Sequence, residues 1–194
     1  MAKDICGVVL CGGKSSRMGE DKGLILLNGI TWAEIAYQKL SKLKIPVFIS
    51  INTEQVYDYN KIFEIDNLII DNQNISGPLN GLLSANSKFS KLDLFVVACD
   101  LPNLSQKVIQ SLFQAYLSSQ NKNLNYVYKV ANYCEPMCAI YSNESFEKIK
   151  NRLNSKSHNF GLKDLIEQSE TIFLECNENW YYCFKNCNLQ IDKP

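Results

Sequence analysis

Residues 5–23 read ICGVVLCGGKSSRMGEDKG, in which an apolar run passes directly into a segment rich in glycine, serine and lysine. The run from Ile5 to Cys11 is apolar apart from Gly7, a pattern typical of a strand that is covered on both faces. In open α/β sheets, ligands bind beyond the carboxyl ends of the strands. We therefore expect a buried strand at 5–11 and a ligand-binding loop immediately after it.

This loop carries the groups with which proteins hold a phosphate chain. Gly12 and Gly13 allow the backbone to approach a ligand closely, and the hydroxyls of Ser15 and Ser16 are donors. Three cations follow within nine residues: Lys14, Arg17 and Lys22. Backbone N–H groups combined with cations are typical of phosphate binding, although a solvated loop with scattered charges is the plainer alternative. The joint pattern favours phosphate.

Two other phosphate-binding loops do not fit the spacing. The triplet Gly13–Ser15 resembles the end of a P-loop, but Gly7 lies one residue too far upstream to be the first glycine of that motif. A dinucleotide-binding G-x-G-x-x-G is absent, because Gly12 is followed directly by Gly13 and Lys14.

The remaining chain alternates apolar strand-like runs with helix-like stretches, which predicts an α/β fold with a mostly parallel sheet. The predicted strands are Ile5–Cys11, Val47–Ile51, Leu68–Ile70, Leu94–Cys99, Tyr126–Val130, Met137–Tyr141 and Thr171–Leu174. The predicted helices are Thr31–Leu43, Glu54–Phe63, Leu79–Lys88, Gln106–Ser118, Glu144–Leu153 and Leu162–Gln168. Ser105 and Asn143 are predicted N-caps.

Size and charge exclude several classes of protein. The 194 residues are 46% hydrophobic and 21% charged, and the formal net charge is zero, so we expect one domain over 1–194 and no nucleic-acid partner. No apolar run reaches the roughly 18 residues that span a bilayer. The first residues lack the features of a signal peptide, which predicts a cytoplasmic protein without a membrane partner.

The eight cysteines are expected to be reduced thiols in that compartment. Cys134 with Cys138 and Cys183 with Cys187 have CxxxC spacing, within the loose range for zinc. The single histidine, His158, has no metal-ligand neighbour in sequence, so buried structural cysteines are the favoured interpretation.

Residues 7–29, GVVLCGGKSSRMGEDKGLILLNG, resemble the usual signature of the molybdenum cofactor guanylyltransferase family, LAGGxSxRMGxDK. Cys11 stands where that family usually has alanine. The resemblance continues over nearly the whole chain. It includes SGPLNG at 76–81, ACDLPNL at 98–104, CEPMCAIY at 134–141 and FKNCN at 184–188. It implies a three-layer α/β/α, Rossmann-like nucleotidyltransferase fold.

The resemblance also implies a set of site residues. Arg17 and Lys22 would neutralise the triphosphate, and Asp100 would hold Mg²⁺ with Asn188 as a second oxygen ligand. Asn52 and Asp71 would recognise the base and ribose. The backbone around the nucleotide would be that of Leu10, Cys11, Gly12, Gly13, Gly77 and Gly81. Asp71, Asp100 and Asn188 have turn or cap roles as alternatives, and the two later glycines could be loop and helix-start residues.

Independent chemistry agrees with two of these roles. Asp100 follows an apolar strand and can present a hard oxygen ligand, of which Mg²⁺ needs few from a protein. A carboxylate at Asp71 can accept the paired N–H donors of a guanine edge.

The function that follows is transfer of GMP from GTP to molybdopterin, or its molybdate-loaded form, with release of pyrophosphate. Molybdoenzyme apoproteins or their chaperones would be partners for the product. The alternatives are a related transferase that uses CTP or a sugar phosphate, a nucleotide-sensing module without turnover, and a zinc or thiol protein.

Overall fold

The computed structural model describes residues 4–12, 21–73, 75–119, 123–153, 161–167 and 169–185. Its centre is a seven-stranded sheet that consists of β1 (Ile5–Leu10), β4 (Val47–Ile51), β5 (Leu68–Ile70), β6 (Asp93–Ala98), β7 (Asn125–Val130), β8 (Tyr133–Tyr141) and β9 (Thr171–Glu175). Across the sheet the strands lie in the order β5-β4-β1-β6-β8-β7-β9. Only β8 runs antiparallel to its neighbours in this sheet. A two-stranded antiparallel hairpin consists of β2 (Leu26–Leu27) and β3 (Ile30–Thr31).

Six α-helices within the described residues cover both faces of the sheet: α1 (Trp32–Ser41), α2 (Val56–Tyr59), α3 (Pro78–Lys88), α4 (Gln106–Ser118), α5 (Asn143–Leu153) and α6 (Leu162–Glu167). On one face, α1 and α4 bury Leu40 and Ile109 in a common cluster. On the other face, α3, α5 and α6 bury Leu82, Phe146 and Leu165. The predicted three-layer α/β/α arrangement is confirmed, and all seven predicted strands of the large sheet are present.

Helix starts follow local capping chemistry. Thr31 and Glu34 form a reciprocal capping box at the start of α1. Ser105 accepts the Val108 N–H at the start of α4, as predicted. The prediction for Asn143 is wrong, because this residue is the first of α5.

The hydroxyl that accepts from the first turn of α5 is that of Ser142, at 3.3 Å from Ser145 N. Ser142 is the better cap because its short side chain reaches the backbone of the following turn.

Two further elements differ from their predicted bounds. The predicted helix at 54–63 is a 3₁₀ turn at Thr53–Gln55 followed by the short α2. Strand β8 begins four residues earlier than predicted, at Tyr133 rather than Met137. These additional residues pair with β7, a partner that local hydrophobic pattern does not show. In the described parts of the chain, no helix is both long and apolar enough to cross a membrane.

Candidate nucleotide-binding site

The predicted binding residues meet at one edge of the sheet. Strands β4, β1 and β6 are parallel neighbours, so their carboxyl ends lie side by side. Gly12, Asn52 and Asp100 follow these three strands, and Asp71 follows β5, which is parallel to β4. This edge is where open α/β sheets bind ligands.

Lys22 and Asp100 form an ion pair across this edge. Lys22 Nζ lies 3.2 Å from Asp100 Oδ2, and their side chains are 30% and 21% exposed. The lysine supplies a positive charge suited to the phosphates of a nucleoside triphosphate, and the aspartate supplies a carboxylate suited to a divalent cation. The structure therefore brings together the two residues that chemistry had singled out 78 positions apart.

Asp21 anchors the segment that carries Lys22. Its Oδ1 accepts from Gly23 N at 2.9 Å and from the Tyr59 hydroxyl at 3.1 Å, and its Oδ2 accepts from Gln55 Nε2 at 2.5 Å. The same Gln55 amide group donates to the Cys11 carbonyl at 3.1 Å, at the end of β1. A Cβ at Gly23 would overlap the hydroxyl of the buried Tyr59, so a larger residue there would force one of the two to shift. Sequence reasoning missed Gln55 and Tyr59, since neither belongs to the loop.

The turn after β6 is held by α1. Lys39 Nζ donates to the Pro102 carbonyl at 2.6 Å, and Gln106 Nε2 donates to the Lys39 carbonyl at 3.1 Å. Burial lowers the pKa of Lys39 from its usual value. The first of these bonds ties the backbone two residues after Asp100 to α1.

Asp71 sits in a close cluster with two glycines. Its Oδ1 accepts from Ser50 Oγ at 2.7 Å. A Cβ on Gly12 would overlap Asp71 Oδ2, and one on Gly81 would overlap Ser50 Oγ. Burial raises the pKa of Asp71 to about 6, and the Ser50 hydrogen bond opposes this rise. The glycines are therefore needed for packing against Asp71 and Ser50, a reason that the motif alone did not reveal.

Asn52 is also built into local structure. Its Oδ1 accepts from Gln55 N at 3.1 Å, and Gln55 Oε1 accepts from Asn52 N at 2.8 Å, which is a capping box. The N–H groups of Cys11 and Gly12 both donate to the Ser50 carbonyl, at 2.9 and 3.0 Å. The proposed backbone contacts of this segment to a nucleotide stay predictions.

Two further predicted backbone contacts come from Leu10, at the end of β1, and Gly77, before α3. Leu10 is buried, and its carbonyl accepts from Cys99 N at 3.1 Å. Gly77 precedes α3 with a φ of 82°, a left-handed conformation that favours glycine. Pro78 follows at the first position of the helix, where a missing N–H costs nothing.

Buried thiols lie beneath the site. Cys11 and Cys99 are 8% and 6% exposed, and a hydrogen bond to Cys11 together with burial raises the pKa of Cys99 well above its usual value. All seven cysteines within the described ranges are free. No cluster of three or more histidine, cysteine, aspartate or glutamate residues suited to a metal occurs in those ranges. Cys187 and His158 lie outside them.

Glu135 is a carboxylate that sequence reasoning did not select. It lies near the start of β8 and is only 7% exposed. Burial raises its pKa, the Met137 N–H bond opposes this, and the nearby charge of Asp100 raises it further. A charged residue inside a largely apolar strand, directly before Pro136, was the available signal in the sequence.

Gly13, Arg17 and Asn188 lie outside the described residues, as do Lys14, Ser15 and Ser16. Their predicted roles stay predictions.

The central sheet is mostly parallel, helices cover both of its faces, and a cation and carboxylates gather at the carboxyl ends of its strands. This three-layer arrangement is the fold of the nucleotidyltransferase class. The structure of molybdopterin-guanine dinucleotide biosynthesis protein A from Archaeoglobus fulgidus has the same fold, with a TM-score of 0.72 at 19% identity over 94% of this chain and 92% of that one.

The sequence model of the MobA-like NTP transferase domain matches residues 7–172, and the chain belongs to this family. It is 27% identical to a molybdenum cofactor guanylyltransferase of Campylobacter jejuni over 87% of this chain and 83% of that protein. It is 32% identical to a Thermococcus sibiricus protein named "Probable molybdenum cofactor guanylyltransferase", over 96% of this chain and 94% of that protein.

Proposed function

We propose that the protein transfers GMP from GTP to molybdopterin, releases pyrophosphate and forms the guanine dinucleotide form of the cofactor. The observation that carries this proposal is the Lys22–Asp100 ion pair at 3.2 Å, at the carboxyl ends of the parallel strands β1 and β6. The names of the relatives support the choice of GTP and of molybdopterin.

The chemistry needs charge neutralisation and in-line positioning more than acid–base groups. A phosphate oxygen of the acceptor attacks the α-phosphorus of GTP, and the bond from that phosphorus to the bridging oxygen of pyrophosphate breaks. The acceptor phosphate is already anionic near neutral pH, so no general base is required. Lys22 and Arg17 would stabilise the charge that develops on the leaving pyrophosphate.

The donor set at Asp100 suits Mg²⁺. This ion prefers hard oxygen ligands and takes only one or two carboxylates from a protein, with phosphate oxygens and waters completing its shell. Asp100 is partly accessible and its carboxylate faces the Lys22 side of the site. Bound there, with Asn188 as a further proposed ligand, the ion would offset phosphate charge.

Asp71 would set the choice of base. Its carboxylate can accept the two N–H groups that guanine presents along one edge, which cytosine and adenine do not present in that arrangement. Asn52, on the neighbouring strand end, would contact the ribose or base.

The proposal is tested by incubating the protein with Mg²⁺, molybdopterin and each of the four ribonucleoside triphosphates while pyrophosphate is measured. We expect release with GTP, dependent on molybdopterin. Release with CTP, or with a sugar phosphate as acceptor, would instead identify a related transferase. Tight GTP binding without any release would identify a nucleotide-sensing module.

A further inference from the structure

The side-chain amide of Gln55 joins three segments of the site. Its Nε2 donates to the Cys11 carbonyl at 3.1 Å, at the end of β1, and to Asp21 Oδ2 at 2.5 Å. Its Oε1 accepts from Asn52 N at 2.8 Å, in the turn after β4. An amide nitrogen carries two N–H donors, and both have acceptors here, while the amide oxygen faces a donor. The partners of the amide therefore fix its orientation.

Asp21 connects this amide to Lys22. Asp21 is the N-cap of the 3₁₀ turn Lys22–Leu24, because its side chain accepts from Gly23 N at 2.9 Å. Lys22 is the first residue of that turn, so the position of the Asp21 carboxylate sets where the backbone of Lys22 begins. Through this cap, the bond from Gln55 to Asp21 bears on the direction in which Lys22 leaves the chain.

Tyr59 holds the same carboxylate from a second direction. Its hydroxyl donates to Asp21 Oδ1 at 3.1 Å, and the residue is fully buried at the end of α2. Gln55 directly precedes α2. Both side-chain donors thus come from residues 55–59, a segment that packs against the core through Tyr59 and is separate from the glycine-rich loop.

Capping alone does not account for Gln55. Asn52 and Gln55 form a capping box around the turn Thr53–Gln55, which uses the Gln55 oxygen and its backbone N–H. Glutamate serves this purpose as well as glutamine does. The side-chain N–H groups are extra to the box, and they are the groups that reach Cys11 and Asp21.

We propose that Gln55 is a positioning residue for Lys22, acting through Asp21, an inference that rests on the proposed function. Lys22 Nζ lies 3.2 Å from Asp100 Oδ2, where a triphosphate and its cation would meet. In a site of this kind, misplacing a group by about 1 Å can cost roughly 100-fold in rate. The donor on Gln55 keeps Asp21, and with it the turn that carries Lys22, in one place.

Two substitutions separate positioning from capping. Gln55→Glu keeps an oxygen for the Asn52 N–H, so its fold should persist in a thermal melt, but it removes the donor to Asp21. Gln55→Met removes that donor without adding a charge. GTP affinity is measured by calorimetry in Mg²⁺ for both variants. We expect each to bind GTP about 10-fold more weakly, as is typical when a hydrogen bond to a charged group is lost.

Guanosine affinity is measured beside GTP affinity for Gln55→Glu. Guanosine has no phosphate that could contact Lys22, so its affinity should stay unchanged, whereas general damage to the site would weaken both ligands. Both Gln55 substitutions are also made in a Lys22→Ala background. Because Gln55 acts through Lys22, they should weaken GTP binding there by no more than about twofold. This background also reveals any direct repulsion between the new glutamate and the phosphates.

Glu54→Gln is the matched control. Glu54 is the exposed neighbour of Gln55 in the same 3₁₀ turn, and its substitution changes the surface charge by one unit. Exposed charges are screened by salt, so GTP affinity should stay within about twofold of that of the unmodified chain.

Unchanged GTP affinity in Gln55→Glu would overturn the proposal and leave Gln55 with a capping role alone. An equal loss of guanosine affinity, or an equal loss of GTP affinity in the Lys22→Ala background, would also overturn it, because the effect would then not pass through Lys22. Pyrophosphate release tests the proposed function separately. The expected affinities without any release would refute that function and leave the role of Gln55 intact, whereas a chain that binds no GTP would refute both.

Discussion

Lys22 Nζ and Asp100 Oδ2 lie 3.2 Å apart, joining the end of the glycine-rich segment to the end of β6. The two residues come from different segments, and each is fixed by further bonds. Asp21 anchors the lysine side through Gly23 N, and Lys39 anchors the aspartate side through the Pro102 carbonyl. The pair therefore defines a charged centre whose position depends on α1, α2 and the sheet together.

Removing the charge of Lys22 should reduce turnover strongly without unfolding the protein. One lost charge-stabilising contact in a catalytic site typically costs about 10²–10³ in rate. The Lys22–Asp100 pair is partly exposed, so its loss should change stability by less than about 1 kcal/mol. Pyrophosphate release and a thermal melt of Lys22→Ala measure the two effects.

Lys61→Ala is the control for that experiment. Lys61 is exposed and pairs with Asp58 at 2.7 Å, away from the site, so its loss should leave both turnover and stability nearly unchanged. Near-normal turnover in Lys22→Ala would show that the loop end does not contact the triphosphate.

Asp100→Ala should abolish transfer at any Mg²⁺ concentration and leave thermal stability nearly unchanged, because its carboxylate is the proposed Mg²⁺ ligand. The neighbouring Cys99→Ser variant should do the opposite. Cys99 is 6% exposed, and a buried hydroxyl in its place is expected to cost about 1–3 kcal/mol. Mg²⁺ titrations of activity and chemical denaturation separate the two variants. An active Asp100→Ala variant, or one that fails to fold, would make this aspartate a structural turn residue.

Asp71→Asn should reduce the ratio by which the protein binds GTP more tightly than CTP and ATP. The substitution replaces one acceptor by a donor, so the guanine N–H groups lose a partner while other bases lose less. Calorimetric affinities for the nucleotides, before and after substitution, measure the preference. Equal binding of all four triphosphates by the unmodified chain would refute guanine recognition.

Titration of Asp71 should make the free energy of unfolding depend on pH between about pH 4 and pH 6. Its pKa is raised from 3.8 to about 6, so in this window the folded protein binds more protons than the unfolded chain. The contribution of Asp71 to the free energy of unfolding is therefore largest below its pKa in the unfolded chain, and it is lost as the pH rises through its pKa in the folded protein. The asparagine of the Asp71→Asn variant does not titrate. The free energy of unfolding of the unmodified chain, minus that of the variant, should therefore fall over this window and become constant above about pH 7. Denaturation curves at several pH values provide the comparison, and a constant difference would contradict the raised pKa.

Gly12→Ala should destabilise the protein because the new methyl group would overlap Asp71 Oδ2. Overpacking of this kind typically costs about 1–3 kcal/mol. The cost should shrink in an Asp71→Ala background, where the space next to residue 12 is open. A double-mutant cycle of the free energies of unfolding measures this coupling. Additive effects would show that Gly12 is required for a reason other than Asp71.

Local pattern was sufficient for most elements of the fold. Apolar runs such as Ile5–Cys11 and Leu94–Cys99 mark strands buried on both faces, because only apolar side chains tolerate helices packed on each side. The polar residue that ends such a run lies at the edge of a parallel sheet. This reasoning applies to Asp71 and Asp100, which follow β5 and β6 at that edge in the structure, and Lys22 of the glycine-rich segment lies 3.2 Å from Asp100.

The direction of β8 could not be read from sequence. A run such as Met137–Tyr141 has the same hydrophobic pattern whether it lies parallel or antiparallel to its neighbour. The choice is made by packing of the whole chain, and it places the start of β8, with Glu135, beside the end of β6. Tyr133–Pro136 extend the strand because β7 supplies a partner, a contact between residues that local propensity does not describe.

Residue identity thus determined where strands begin, where the glycine-rich loop falls and which charges stand at strand ends, because these depend on neighbours within a few positions. Tertiary structure alone decided which charges pair and which glycines are obligatory. Gly12 has to lack a Cβ because Asp71, 59 positions later, packs against it. Such requirements arise from close packing between distant segments, and a steric overlap exists only once the chain has brought both sides together.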